Sequence, residues 1–366
     1  MKRLVNKMLL KEIIEFKNGK KKPSSKGSIP IYGGNGILGY TDQSNQNGES
    51  LIIGRVGAYC GCVYSHYGQC WVSDNAIVGK VNEGNDFYYC YYLLKRLNLN
   101  SRHVGSGQPL MTQEILNNIE INICDYETQR KVGKILKNID DKIKINSEIN
   151  NNLSEQIKCI YNEMFTEYDS YKRLSEISNV TIGKTPPRSE SECFTTDEKD
   201  IKWISISDLG KAGMFIFDTS ERLTQDAIAK YNVKIIPKNT VILSFKLTIG
   251  RTGFTTEDMT TNEAIAHFDL FDKNLNNYLY CTLTYFNYSD LGSTSSIATA
   301  INSKIVKSIK IGIPNEKQLN KFNDLTSSMF KIIRNNEKVN IKLLELRDTL
   351  LPKLTNGEID LDNIEI

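Results

Sequence analysis

The stretch VGSGQPLMTQEILNNIEINICDYETQRKVG at residues 104–133 recurs in altered form as LGSTSSIATAINSKIVKSIKIGIPNEKQLNKF at residues 291–322. Each version has a Gly-Ser turn, an alternating isoleucine strand, a glutamine and then a long helical pattern. An offset of about 190 residues aligns a glycine, an isoleucine and a glutamine: Gly105 with Gly292, Ile119 with Ile309, and Gln129 with Gln318. Such a long period indicates a duplicated domain plus helix rather than a solenoid.

The size of the chain, 366 residues with 40% hydrophobic residues, predicts two packed domains. The mean hydropathy of -0.37 and the lack of a long apolar run argue against a membrane span. The amino-terminal MKRLVNKMLLKEIIEF is interrupted by polar residues and makes a poor signal peptide. Eight thinly spread cysteines suit reduced thiols, so we expect a cytoplasmic protein.

Charge is distributed unevenly, although the net charge is only +3. Residues 1–124 hold 14 basic and 9 acidic residues, whereas residues 172–314 hold 17 and 16. The first half is therefore basic and the second nearly neutral. If both bind DNA, the second must gather its positive charges on one face.

The order of patterns predicts four segments. Residues 1–124 are strand-rich and punctuated by glycine, and residues 169–315 repeat that character. Residues 125–168 and 316–366 carry apolar residues in steps of three and four, which is typical of long paired helices. We predict an α+β fold: two mixed domains joined by two helices that form an antiparallel coiled coil with approximate two-fold symmetry.

Polar residues interrupt both apolar seams at matching places. Asn146 and Asn150 align with Asn336 and Asn340 at the same offset. A polar residue in a seam lowers stability but can fix register and partner orientation. The alternative is a coincidence in a chain rich in asparagine. The residues predicted to pair the helices are Asn146, Asn150, Leu153, Asn336, Asn340 and Leu343.

Several ordered motifs resemble the specificity subunit of type I restriction–modification enzymes, over the whole chain. The most specific are TLLPKLTNGEIDL at residues 349–361 and KRLSEISNVTIGKTPPR at residues 172–188. LLKEIIEFKNGKKKP at residues 9–23 is a degraded form of the second motif, since it lacks the Thr-Pro pair. The starts of both helices and the segment at residues 160–169 also fit.

This resemblance implies a non-catalytic subunit in which each domain recognises one half of a split, asymmetric DNA target. The helices would set the spacer and bind two adenine methyltransferase subunits, and two restriction subunits can join them. S-adenosylmethionine, ATP and Mg²⁺ would then belong to those partners and not to this chain. Two alternatives stay open: a recognition subunit of another split-target, type II-like system, and a protein-binding adaptor that does not contact DNA.

The residues themselves offer no catalytic motif. No Pro-Pro-aromatic loop for a flipped adenine occurs, and the Walker A pattern fails because position 178 is Ser178. Gly34–Gly39 fits G-x-G-x-x-G but precedes a turn-rich stretch instead of a helix, so a loop between strands is the better interpretation. Cys60, Cys62, His66 and Cys70 are the best candidates for a metal site, with ordinary core packing favoured over ligation.

Candidate DNA contacts are basic and small polar residues in loops of both domains, because such residues bind phosphates and base edges. The alternatives are solvated loops and tight turns. In the first domain they are Lys20, Lys21, Lys22, Lys26, Arg55, Tyr59, Ser106 and Gln108. In the second domain they are Lys184, Thr185, Arg188, Lys246, Arg251, Ser293 and Thr294.

Overall fold

A computed structural model describes residues 6–105, 107–246, 248–291, 302–356 and 358–359. The chain divides into two compact units, Met1–Lys144 with Ile341–Ile366, and Ile145–Asn340. Each unit contains one mixed domain and one segment from each long helix. This architecture confirms the predicted α+β class with a repeated domain and two long helices.

The first domain contains three sheets, of orders β2-β8-β5-β6, β4-β3-β7 and β1-β9. The strands are β1 (Asn6–Leu9), β2 (Ile14–Asn18), β3 (Ile29–Gly33), β4 (Gly36–Thr41), β5 (Ser50–Gly54), β6 (Val63–His66), β7 (Trp71–Val72), β8 (Ala76–Val81) and β9 (Glu120–Ile123). The helices are α1 (Phe87–Arg96), α2 (Gln113–Asn117) and the long α3 (Tyr126–Met164).

The apolar run at Leu51, Ile52 and Ile53 forms β5, which lies between β8 and β6. Successive side chains of a strand point to opposite faces. Leu51 and Ile53 accordingly enter one core cluster, and Ile52 enters another that includes Val72. A continuous apolar run is therefore expected for this strand, because both of its faces are covered.

The second domain contains a five-stranded sheet of order β11-β19-β16-β17-β14, a sheet of order β12-β15-β13-β18, and the pair β10-β20. The strands are β10 (Ser170–Arg173), β11 (Ser178–Ile182), β12 (Phe194–Thr195), β13 (Ile201–Ile204), β14 (Phe215–Ile216), β15 (Glu221–Leu223), β16 (Val241–Ser244), β17 (Thr252–Thr255), β18 (Thr260–Thr261), β19 (Ile265–Leu270) and β20 (Lys310–Ile313). The helices are α4 (Leu174–Ile177), α5 (Ile206–Lys211), α6 (Gln225–Tyr231), α7 (Asn276–Tyr285), α8 (Ser303–Ser308) and the long α9 (Glu316–Thr355).

The internal repeat is visible in backbone hydrogen bonds. The amide of Leu10 donates to the carbonyl of Ile119, and the amide of Leu174 donates to that of Ile309, both at 2.9 Å. Ile119 and Ile309 are thus equivalent, as the alignment predicted.

The glutamine alignment is wrong by one position. Asp125 caps α3 by accepting from the amide of Thr128 at 3.0 Å, and Asn315 caps α9 by accepting from the amide of Gln318 at 2.9 Å. Gln318 therefore corresponds to Thr128. Gln129 is instead buried. Its side chain accepts from the backbone amide of Asp86, the residue before α1, and donates to the carbonyl of Cys124, both at 2.9 Å.

Asparagines connect the two long helices in the second unit. The side-chain amide of Asn146 donates to Oδ1 of Asn340 at 2.8 Å, and the side-chain amide of Asn336 donates to Oδ1 of Asn150 at 2.9 Å. One residue number rises as its partner's number falls, so the two segments run antiparallel. Because these contacts demand matched partners, they define a single register. Leu153 packs against the core of the unit.

In the first unit the same two helices are joined by a charge pair. A guanidinium nitrogen of Arg347 lies 2.8 Å from Oδ1 of Asp140, and the Tyr92 hydroxyl donates to Oδ2 at 2.7 Å. Leu354 packs into the core cluster that contains Leu136. These segments are also antiparallel. Leu343, the remaining residue predicted to pair the helices, is half-buried.

Candidate nucleic-acid interface

A glycine-lysine pair begins the candidate segment of the first domain. The amide of Gly19 donates to the carbonyl of Ala76, and the amide of Lys20 donates to that of Val72, both at 3.0 Å. A Cβ added to Gly19 would lie 1.9 Å from the Ser73 carbonyl oxygen. Only glycine allows this approach, so it fixes where the lysine segment leaves the sheet.

The second domain repeats that arrangement. The amide of Gly183 donates to the carbonyl of Ile265 at 3.1 Å, and the amide of Lys184 donates to that of Thr261 at 2.9 Å. A Cβ on Gly183 would lie 2.2 Å from the Asn262 carbonyl oxygen. The two Gly-Lys pairs are thus held by equivalent backbone contacts.

In each domain a tryptophan forms a hydrogen bond with the lysine of the Gly-Lys pair, but the two tryptophans lie on different strands. The indole N–H of Trp71 donates to the carbonyl of Lys20, and that of Trp203 donates to the carbonyl of Lys184, both at 3.2 Å. Trp71 lies on β7, whereas Trp203 lies on β13, the counterpart of β3. The same hydrogen bond is therefore supplied by residues that no sequence alignment would pair.

The lysine segment of the first domain lies along β4 and is exposed. The Ser25 hydroxyl is 2.9 Å from that of Thr41, and the Lys22 amine is 3.9 Å from the Cβ position of Gly39. Within the described ranges, no ion pair involves the four lysines of this segment. They are Lys20, Lys21, Lys22 and Lys26, all exposed. A segment with four charges and no acidic partner attracts polyanions.

The corresponding segment of the second domain is engaged by carboxylates. The Thr185 hydroxyl donates to Glu263, and Arg188 binds both carboxylate oxygens of Glu221, at 2.7 and 2.9 Å. The Arg188 guanidinium also lies 4.0 Å from the centre of the Phe194 ring. The hydrogen bonds to Glu221 raise the pKa of Arg188. Lys184 itself is exposed.

The hairpin loop after β5 carries Arg55 and Tyr59. One guanidinium nitrogen of Arg55 donates to the carbonyl of Asp74 at 3.2 Å, while its Nε is buried and has no hydrogen-bond partner within the described part of the chain. Tyr59 is exposed. Arg55 is thus partly anchored, and Tyr59 is accessible to a ligand.

The equivalent loop after β16 places its basic residues differently. Lys246 is exposed, with its amine 5.7 Å from the centre of the Phe245 ring. Arg251 is half-buried and donates to the carbonyl of Ile206 at 2.9 Å, over Gly210. Arg251 therefore supports α5 and offers only part of its guanidinium to solvent.

Arg55, Lys246 and Arg251 lie in equivalent hairpin loops, but not at equivalent positions within those loops. The amide of Arg55 donates to the carbonyl of Asn75 at 2.9 Å, and the residue making the matching bond, to Ala264, is Phe245, also at 2.9 Å. Sequence comparison could not find this offset because the loops differ in length.

The remaining candidate contacts lie in the Gly-Ser loops. Gln108 is exposed between Val104 and Leu110, whose amides and carbonyls exchange two hydrogen bonds of 3.0 Å. Ser106, Ser293 and Thr294 lie outside the described residues.

Two of the four metal candidates, His66 and Cys60, form hydrogen bonds with protein groups. His66 lies 3.3 Å from the Tyr32 hydroxyl and 3.1 Å from the Gln69 carbonyl through its two ring nitrogens. The thiol of Cys60 donates to a backbone carbonyl, and burial raises the pKa of Cys70 to about 11. In the described ranges, no three histidine, cysteine or acidic side chains are grouped as metal ligands would be.

Sequence reasoning missed Glu337. Its carboxylate, on α9, accepts from the amides of Met214 and Phe215 at 2.8 and 2.9 Å, and burial raises its pKa. The side chain connects β14 to the long helix. Its helical position gave no signal, because the two amides lie more than 120 residues away in sequence.

Among the residues that the structure describes, no helix is both long and apolar enough to cross a membrane.

The fold and its repeated basic segments define a class of protein: a duplicated domain-plus-helix chain with one candidate nucleic-acid surface in each domain. The chain belongs to the family described as type I restriction modification DNA specificity domain, whose model matches residues 3–155 and 168–344. This match confirms the resemblance found in the sequence.

The curated relatives that the chain matches are named as specificity subunits of type I restriction enzymes. The chain is 23% identical over 331 residues to the type I restriction enzyme HindI specificity subunit of Haemophilus influenzae, covering 69% of this chain and 71% of the relative. It is 24% identical over 319 residues to the MjaIX specificity subunit of Methanocaldococcus jannaschii, covering 75% and 70%.

A solved structure shares the fold. The S subunit of a type I restriction–modification system from M. genitalium superposes with a TM-score of 0.68 at 15% identity, covering 96% of both chains. At that identity the likeness establishes the architecture alone.

Proposed function

We propose that this chain is the DNA-recognition subunit of a type I restriction–modification complex, with each domain recognising one half of a bipartite, asymmetric target. The observation that supports this most directly is that the Gly-Lys pairs of both domains make equivalent backbone contacts and are followed by different side chains. Equivalent backbone would place each domain on DNA in the same way. Different side chains would then select different bases.

The long helices would set the distance between the half-sites and bind two adenine methyltransferase subunits. The asparagine pairs support a fixed register, because a shift along the seam would leave buried amides without partners, at about 1–3 kcal/mol each. S-adenosylmethionine, and ATP with Mg²⁺ where restriction subunits join, would bind those partners. This chain would carry out no catalysis.

The experiment lengthens both helices together. The facing heptads 138–144 and 342–348 are each duplicated, after Lys144 and after Ile341, where the two compact units meet in sequence. Seven residues add about 10 Å of helix, or about three base pairs at roughly 3.4 Å each. We expect methylome sequencing to show both half-sites unchanged and the spacer longer by about three base pairs.

Two outcomes give the experiment its meaning. Duplication in the first helix alone is the control, and it should abolish methylation because the seam no longer matches. An unchanged spacer with both duplications would show that the helices do not set the distance.

DNA binding by the assembled complex separates this proposal from the protein-binding adaptor. Affinity that depends on phosphate contacts falls steeply with salt. Absence of binding at low salt would favour the adaptor.

A further inference from the structure

In the described part of the chain, the strand β4 of the first domain pairs with one strand only, β3. Its sheet has the order β4-β3-β7, so β4 ends the sheet. In the second domain the equivalent strand, β15, lies between β12 and β13. A second strand therefore pairs at this position in the second domain, but not in the described part of the first.

Large apolar side chains are exposed on β4. Ile37 is 49% exposed, Leu38 44% and Tyr40 56%. On β15, by contrast, Leu223 is fully buried and packs in a cluster with Trp203. Three neighbouring exposed apolar residues on one short strand are unusual unless the surface binds something.

The lysine segment lies directly beside this strip. The Lys22 amine is 3.9 Å from the Cβ position of Gly39, between Leu38 and Tyr40, and Ser25 contacts Thr41 at the end of the strand. Ile37, Leu38 and Tyr40, which lie within four consecutive residues, and the lysine segment beside them are here called the β4 surface. Its charge complements a polyanion, whereas its apolar side chains need a non-polar contact.

Duplex DNA provides both kinds of contact. Phosphates would accept from the lysines and position the domain. Apolar side chains cannot distinguish hydrogen-bond donors from acceptors, and the methyl group of thymine is the apolar feature of base edges in the major groove. An apolar strip beside lysines is therefore suited to thymine.

We propose that the β4 surface recognises thymine in the half-site read by the first domain, by contact of Ile37, Leu38 and Tyr40 with 5-methyl groups in the major groove. This inference rests on the proposed function. It adds that the first domain selects at least one base pair through shape and apolar contact, whereas the covered β15 gives the second domain no such surface.

The test replaces thymine by uracil, which removes only the methyl group. Duplexes carrying the target found by methylome sequencing are made with uracil at every thymine of one half-site. Affinity for the wild-type methyltransferase complex is then measured. We expect roughly 4-fold weaker binding for each contacted methyl group when the first domain's half-site is substituted. No thymine in that half-site, or equal affinity for both duplexes, would overturn the inference.

The triple variant Ile37→Ser, Leu38→Ser, Tyr40→Ser should bind both duplexes equally. Tyr67→Ser is the matched control, since Tyr67 is 77% exposed but lies outside β4, and it should retain the discrimination. The uracil comparison on the wild-type complex needs no variant, so a variant that fails to fold does not leave the question open.

Failure of this inference is distinguishable from failure of the proposed function. If the complex binds and methylates a bipartite target but is insensitive to uracil, only the inference fails. If no bipartite target is bound, the proposed function fails. If the triple variant loses its methyltransferase partners while DNA discrimination persists, the β4 surface binds protein and the inference is wrong.

Discussion

The lysine segment of the first domain and its counterpart in the second begin identically and then diverge. Gly19-Lys20 and Gly183-Lys184 are held by the same backbone bonds. Beyond them, the first domain exposes lysines that have no acidic partner among the described residues, whereas Arg188 is bound by Glu221. The comparison shows that a duplicated backbone can be kept while the charge it offers is changed by residues elsewhere in the fold.

This difference in charge pairing predicts that the two domains contribute unequally to DNA affinity. A domain with free cations can bind phosphate non-specifically as well as specifically. A domain whose cation is already paired must exchange one partner for another. We therefore expect the first domain to contribute more of the salt-dependent affinity than the second.

The largest expected effect comes from removing the lysines of the first domain. Changing Lys20, Lys21, Lys22 and Lys26 together to glutamine should weaken DNA binding roughly 100- to 1,000-fold near physiological salt. It should also lower the salt slope by about 3 to 4, because each phosphate contact contributes about 0.9. Fluorescence anisotropy of the complex across salt concentrations measures both quantities.

The matched control removes four exposed lysines from elsewhere in the same domain, namely Lys7, Lys11, Lys17 and Lys95. Its net charge changes equally. If the control weakens binding as much as the first variant does, overall charge and not the segment determines affinity.

A smaller effect is expected from acid, through a buried histidine of the second domain. His267 is buried on β19, 3.0 Å from the Thr181 hydroxyl, and burial lowers its pKa to about 3. In the unfolded chain His267 binds a proton near pH 6.5, whereas in the folded chain it does not. The free energy of unfolding therefore falls as pH drops below about 6.5. Between pH 7 and pH 5 the loss should be about 2 kcal/mol.

The first domain offers an internal reference for this pH effect. Val78, at the equivalent strand position, does not titrate. The chain has two tryptophans, one in each domain, so Trp71→Phe isolates the fluorescence of Trp203 and the converse variant isolates Trp71. Urea unfolding at pH 7 and pH 5 should shift the Trp203 midpoint, and His267→Asn should reduce that shift. An equal shift for Trp71 would contradict the assignment.

The smallest expected effect reverses the comparison. Glu221→Gln removes the carboxylate that binds Arg188 and should strengthen DNA binding about 5-fold, with the salt slope steeper by about 1. Glu198→Gln is the control, because Glu198 is exposed and the charge change is the same. Weaker binding by Glu221→Gln alone would mean that the pair orients Arg188 for DNA instead of withholding it.

The sequence by itself determined the repeat, the two long helices and the family. These features are carried by local patterns: apolar steps of three and four along α3 and α9, paired asparagines at one offset, and short motifs such as the one ending in Arg188. Helical periodicity depends on neighbours within a few residues, so it can be recognised in the sequence without a structure.

Only the tertiary structure decided which candidate charges are free. Glu221 lies 33 residues from Arg188 in sequence, and Glu263 lies 78 residues from Thr185, so their pairing depends on how β15 and β18 are placed. The same is true of β4, whose apolar residues are exposed and whose only strand partner in the described part of the chain is β3. Local sequence specifies strands and loops, but long-range packing determines which of their side chains meet each other and which remain available to bind.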